Sequence, residues 1–263
     1  MEITTYLITG ATAGLLAGLM GIGGGLVIVP ALALLFTVQG FAGETLMHVA
    51  VGTSLAAIIP TSISSLLAHH RRGSVRWPAV RGMVPGILPG ALAGAWLAQQ
   101  VSSPGLALFF GLFEILVAIQ LLVGRQPAAH RSLPGPAGLA VAGAVIGIVS
   151  ALLGIGGATL SVPFLLWSRV DIRMAVGTAA TVGLPIALAG AAGFVLAGQA
   201  AGSSSGWSSG YVYWPAVAGI ALASVPMAPL GARFAHYLPR RQLQRIFGFL
   251  LAVVGMKMVL NAW

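Results

Sequence analysis

Apolar residues fall in long, nearly unbroken runs at 5–36, 48–68, 78–99, 105–124, 135–167, 174–198, 212–235 and 243–260, separated by short connectors. The runs do not alternate apolar with polar positions, so they predict helices and argue against a membrane β-barrel. Most have the length that carries one helix across a bilayer, about 20 residues. Runs 5–36 and 135–167 do not: at about 32 residues each they are long for one crossing and short for two. A glycine cluster interrupts each of them, Gly21, Gly23, Gly24 and Gly25 in the first and Gly154, Gly156 and Gly157 in the second. Glycine weakens a helix and permits positive φ. Both runs therefore predict helix–break–helix hairpins with their tips in the membrane interior. Freed backbone at that depth is tolerated only where protein buries it or where it lines a cavity.

The pattern occurs twice. Met20-Gly21-Ile22-Gly23-Gly24-Gly25 returns as Leu153-Gly154-Ile155-Gly156-Gly157-Ala158, with Pro30 and Pro163 at the same offset. Ala50-Val51-Gly52-Thr53-Ser54 returns as Ala175-Val176-Gly177-Thr178-Ala179, and Pro60 as Pro185. Trp77-Pro78-Ala79-Val80 returns unchanged as Trp214-Pro215-Ala216-Val217, and Phe110-Gly111 as Phe247-Gly248. The chain divides into two repeats, 1–132 and 133–263, each a broken hairpin followed by three helices (5–36, 48–68, 78–99 and 105–124; 135–167, 174–198, 212–235 and 243–260). The expected fold is an all-α polytopic membrane protein.

Composition supports this reading and narrows the function. Of 263 residues 58% are apolar and 6% charged, where a soluble domain carries about 25% charge, so a soluble enzyme is excluded. The net charge of +9 does not signal nucleic acid, because the arginines belong to the topology of the runs. Eight simple crossings would put six arginines on each side of the membrane, against the positive-inside rule. If runs 5–36 and 135–167 instead enter and leave on one face, all 12 arginines become cytoplasmic and both termini periplasmic. The two halves are then inverted relative to each other, as in many secondary transporters. Met1-Glu2-Ile3-Thr4-Thr5 has no basic region, so the first run is expected to stay in the mature protein. The five histidines have no metal-ligand spacing and there is no cysteine, so neither metal nor cofactor is expected.

The candidate site follows from the breaks. Helix N-termini meeting inside the membrane present unpaired N–H groups and a partial positive charge, which suit an anion, and glycine lets the backbone approach it. Small residues also serve close helix packing, the reading given to Gly10, Gly14 and Gly18 and to Gly86, Gly90 and Gly94. Those faces suit a homodimer as well as contacts inside one chain. Thr53, Ser54 and Thr178 can bond back to their own helix or donate to a bound oxyanion, and Thr61 and Thr181 are weaker candidates. His48 and Arg173 hold equivalent repeat positions, as anion-attracting groups or as ordinary interfacial residues. Glu114 is the acid deep in an apolar run, a candidate proton carrier whose repeat equivalent is Leu251.

The paired Gly-Ile-Gly-Gly…Pro segments, each followed by Ala-Val-Gly-Thr, resemble the TauE/SafE sulfite exporter family, also called the 4-toluene sulfonate uptake permeases. The resemblance covers nearly the whole chain. It implies a bacterial inner-membrane transporter of sulfite, sulfonates or related sulfur-containing organic anions, with proton drive as one option; the broken hairpins lead us to expect export from the cytoplasm by alternating access. The matching positions are Gly21 to Gly25, Thr53, Ser54, Gly154 to Gly157 and Thr178. Ala158 stands where the first half has Gly25, and Ala179 where it has Ser54, so the implied site is asymmetric. A carrier for another small anion such as a carboxylate, and a passive anion channel, remain open at this point.

Overall fold

A computed structural model describes residues 2–20, 24–41, 43–124, 132–203, 206–234 and 240–260. These residues are almost entirely helical. The first half of the chain holds α1 (Glu2–Met20), α2 (Gly25–Val38), α3 (Leu46–Arg71), α4 (Trp77–Gln99) and α5 (Ser103–Val123). The second holds α6 (Pro136–Leu153), α7 (Ala158–Trp167), α8 (Ile172–Ala200), α9 (Trp214–Phe234) and α10 (Arg240–Leu260). Each long glycine-interrupted run is thus two helices. Among the described residues six helices, α3, α5, α6, α8, α9 and α10, are long and apolar enough to cross a membrane.

Local sequence explains the boundaries. Ser102 caps α5 by accepting the Gly105 amide, and Gly124, with φ +67°, ends it. Asp171 caps α8 through the Arg173 amide at 2.9 Å. α6 closes with Ile155 N–H on the Ser150 carbonyl and Gly154 N–H on that of Ala151, the paired bonds of a glycine-terminated helix. Gly154 is left-handed at φ +67° and so is Gly157 at φ +74°, directly before α7. The second break is therefore one helix stop followed within four residues by a new start.

The Gly/Ser-rich stretch 201–210 leads into a short hairpin. Ser208–Ser209 (β1) pairs antiparallel with Val212–Tyr213 (β2), with Ser208 opposite Tyr213. Gly210 makes the turn at φ +57° against the Val195 backbone, and Tyr211 is buried beside Phe194 and His48.

Helix packing exchanges elements between the repeats. α1 packs on α9 and α6 on α4, α3 packs on α8, and α5 on α10. Residue order gives the directions. Gly82 meets Leu139, Gly90 meets Ala144 and Gly94 meets Ile148, so α4 and α6 run parallel. Tyr6 meets Gly219, Gly14 meets Ser224 and Leu15 meets Gly231, so α1 and α9 also run parallel. Gly52 lies against Phe194 and Gly190 against Leu55, while Gly111 lies against Gly255 and Gly248 against Leu122. α3 and α8 therefore run antiparallel, as do α5 and α10.

Glycines set these distances. Gly10, Gly14, Gly86, Gly90 and Gly94 each face backbone of the neighbouring helix, the packing role read for them from their spacing. A methyl group on Gly86 would overlap the Ala140 carbonyl, whereas one on Gly43 would meet nothing within 4 Å. Gly86→Ala should therefore force α4 off α6 and lower stability by about 3 kcal/mol, with Gly43→Ala close to neutral; thermal melting in detergent checks both.

Candidate functional site

The two glycine breaks meet. A Cβ on Gly25 would lie 2.5 Å from the Gly154 carbonyl oxygen and 2.7 Å from the Ile155 Cα, so the N-terminus of α2 rests directly on the second break. Gly154 also lies against Val29 of α2 and Val51 of α3, Gly156 against Ile58, and Gly157 against Ile146 and Ile186. Gly183 of α8 faces the Gly156 carbonyl. Four elements from both repeats thus converge on residues 154–157. Gly21 and Gly23 lie outside the described residues, and Gly24 is the N-cap of α2.

The two hairpins approach this junction from different ends of the helix bundle. The open end of the first is held by Tyr6, bonded to Gln39 at 2.9 Å, and by Phe36 and Phe41, stacked on each other and edge-on to Tyr213. The open end of the second packs Leu165 and Val170 with Ala79 and Ala175. Tyr213 precedes the first turn of α9, and Ala79 lies in the first turn of α4.

Ser54, Thr53 and Thr178 are fully buried, and each hydroxyl has a structural partner. Ser54 Oγ donates to the Gly154 carbonyl at 2.8 Å, satisfying backbone freed by the end of α6. Thr53 Oγ1 accepts the Tyr213 amide at 3.0 Å, and Thr178 Oγ1 accepts the Arg76 amide at 2.9 Å. Tyr213 and Arg76 immediately precede the two Trp-Pro pairs, so equivalent threonines anchor equivalent helix starts in the opposite repeat. As acceptors, both threonines keep a hydroxyl hydrogen to donate. Thr181 bonds back to the Gly177 carbonyl at 2.8 Å, and Thr61 pairs with Ser224 at 2.8 Å.

The charged candidates lie away from the breaks. His48 is buried where α3 begins, its Nε2 3.0 Å from the Ala98 carbonyl and 3.1 Å from that of Val101, its ring over Tyr211, and its Nδ1 without a partner. It borders a cavity of about 390 Å³ lined also by Glu44, Gln99 and Tyr211. Arg173 is exposed at the other end of the bundle, where Gly177 lies against Ser74. Glu114 is fully buried between α5 and α10 beside Gly255, with neither carboxylate oxygen hydrogen-bonded. The expectations missed Ser150 and Ser161, two fully buried hydroxyls flanking the second break with no partner. Comparing the repeats hid them, because the equivalent positions are Ala17 and Ile28.

Among the described residues no group of three or more His, Asp or Glu is placed to hold a metal ion. The arrangement offers instead a helix start, left-handed glycines and hydroxyls inside an apolar shell. Ser54→Ala would leave the Gly154 carbonyl buried and unpaired. The variant should lose about 1–3 kcal/mol of stability, read as a lower melting temperature, while Ser54→Thr, which keeps the donor, should lose less.

Comparison with known proteins agrees with this architecture. The family model described as Sulfite exporter TauE/SafE matches residues 6–258. A "Probable membrane transporter protein" of Haemophilus influenzae is 35% identical over 98% of each chain. The "Probable membrane transporter protein YunE" of Bacillus subtilis is 29% identical, again over 98% of each chain. A probable membrane transporter protein of Methanocaldococcus jannaschii is 27% identical over 97% of this chain and 94% of its own. No solved structure matches. With its apolar helices and the names its relatives carry, this is a multi-pass membrane protein of the transporter class, and the chain belongs to the TauE/SafE sulfite exporter family.

Proposed function

We propose that the protein exports sulfite, sulfonates or related small sulfur-containing anions from the cytoplasm of a bacterium across its inner membrane by alternating access. The anion sits where the two glycine breaks face each other. The observation that carries this reading is the junction of Gly25 with Gly154 and Ile155. The starts of α2 and α7 leave first-turn N–H groups without an intrahelical partner and add their partial positive charge. A protein that only held other proteins in the membrane would gain nothing from breaking two helices.

The two repeats are inverted on this reading. Equivalent helices, α3 with α8 and α5 with α10, run antiparallel where they touch, and the hairpins open to different ends. Ser74 lies beside Gly177, which puts the connectors carrying Arg71, Arg72 and Arg76 and carrying Arg169 and Arg173 at the same end. That end is the cytoplasmic one by the positive-inside rule, and both termini are periplasmic. Movement of one helix bundle against the other would open the site to each side in turn. Arg173 draws anions toward it from the cytoplasm and His48 lies on the way out. Glu114 carries the coupled proton, and the small-residue faces leave room for a homodimer.

Protein reconstituted in vesicles should move labelled sulfite and methanesulfonate with saturable, gradient-driven kinetics, and an anion held at about 100 times its Kd should stabilise the purified protein by about 2.7 kcal/mol. Flux of carboxylates alone would keep the fold and overturn the substrate, and unsaturable flux would mean a channel. If Glu114→Gln leaves the response to a pH gradient intact, Glu114 is not the proton carrier. Single cysteines placed at Ser208 and Ser74 should label from opposite sides; labelling from the same side would overturn the inverted arrangement.

A further inference from the structure

Two serines beside the second break carry hydroxyls that the fold does not use. Ser150, in the last turn of α6, and Ser161, one turn into α7, are both 0% exposed, and neither Oγ has a hydrogen-bond partner. A helical hydroxyl can ordinarily bond to the carbonyl one turn back, as Thr37 does here on Ala33 at 2.7 Å. These two do not, and a buried hydroxyl without a partner is costly. Ser150 Oγ points at the start of α7, since a Cβ on the N-cap residue Gly157 would lie 3.3 Å from it. The Ser161 amide bonds to the Gly157 carbonyl at 2.8 Å. Ser150 therefore faces the N-terminus of a ten-residue helix whose first amides have no carbonyl ahead of them within the helix, and Ser161 lies one turn into that helix.

We propose that Ser150 and Ser161 are hydroxyl donors of the anion site, and that the site admits singly charged oxyanions and rejects dianions. The inference rests on the transport reading above and deepens it. The charge preference follows from what surrounds the break. Val29, Val51, Ile58, Ile146 and Ile186 are all apolar, and among the described residues no Arg or Lys is buried. The positive field available is the end of a helix, about half a charge, with neutral hydrogen bonds. That can offset one negative charge in an apolar shell, whereas a second would stay buried and uncompensated. Hydrogen sulfite and alkyl sulfonates carry one charge, while fully deprotonated sulfite and sulfate carry two. Because Ala17 and Ile28 replace the serines in the first repeat, these donors come from the second half alone.

The test uses the full chain in vesicles, with methanesulfonate, sulfite and sulfate as probes, and compares wild type with Ser150→Ala, Ser161→Ala and the double variant. Each single variant should slow methanesulfonate uptake about tenfold and the double variant more. Melting temperatures should stay the same or rise, because no hydrogen bond is lost. In wild type, sulfite uptake relative to methanesulfonate should fall as pH rises through the second ionisation of sulfite, and sulfate should not be carried. Methanesulfonate keeps its single charge throughout, so the ratio separates substrate charge from proton coupling. A double variant that transports at the wild-type rate or melts lower, or a wild type that carries sulfate as fast as methanesulfonate, overturns the inference and leaves the transport reading standing. A wild type that moves none of the three overturns both.

Discussion

The structure depends on one contact between the halves, in which the N-terminus of α2 lies on the Gly154 carbonyl and Ser54 donates to that same oxygen. A chain that stops a helix within the apolar thickness of a bilayer exposes carbonyls that lipid cannot satisfy. Here the polar group comes from the other repeat, and a glycine without a side chain lets the facing backbone close over it. Two interrupted helices, each unfavourable alone, become one buried junction when they meet. The Thr53 and Thr178 anchors extend the same exchange, Thr53 holding the start of α9 and Thr178 the start of α4.

The rest of the packing keeps this junction fixed. Lipid tails are as apolar as the helix surfaces, so no hydrophobic force drives one helix onto another within the bilayer, and close contact must supply the attraction. Glycine rows on α1, α4 and α6 bring helix backbones together along their partners, while Leu112, Leu116, Phe249 and Val253 are left on the exposed faces of α5 and α10. Tightly packed helices paired across the repeats suit rigid bundles that move as units. The broken hairpins, with short α7 and its two left-handed glycines, are where bending needs least disruption of helix.

Much of this was legible in the sequence because the signals are strong and local. Apolar runs and glycine interruptions predict an almost entirely helical membrane chain, and the six membrane-length helices lie on those runs. Partnerships between distant residues were not legible. Nothing near Thr53 indicates that its hydroxyl will hold the Tyr213 amide, and nothing near Gly210 indicates that Tyr211 will be buried beside His48. Ser150 and Ser161 were missed for a different reason. Searching for function by repeat symmetry favours residues present in both halves, and an asymmetric donor pair is invisible to it.

The most direct test of an anion site at the facing breaks is an experimental structure of the protein with a bromine-bearing methanesulfonate, located by its anomalous scattering. The account predicts a peak beside Gly157, within reach of Ser150 and the first amides of α7. A peak confined to the cavity lined by His48 and Tyr211, with none at the junction, would contradict it.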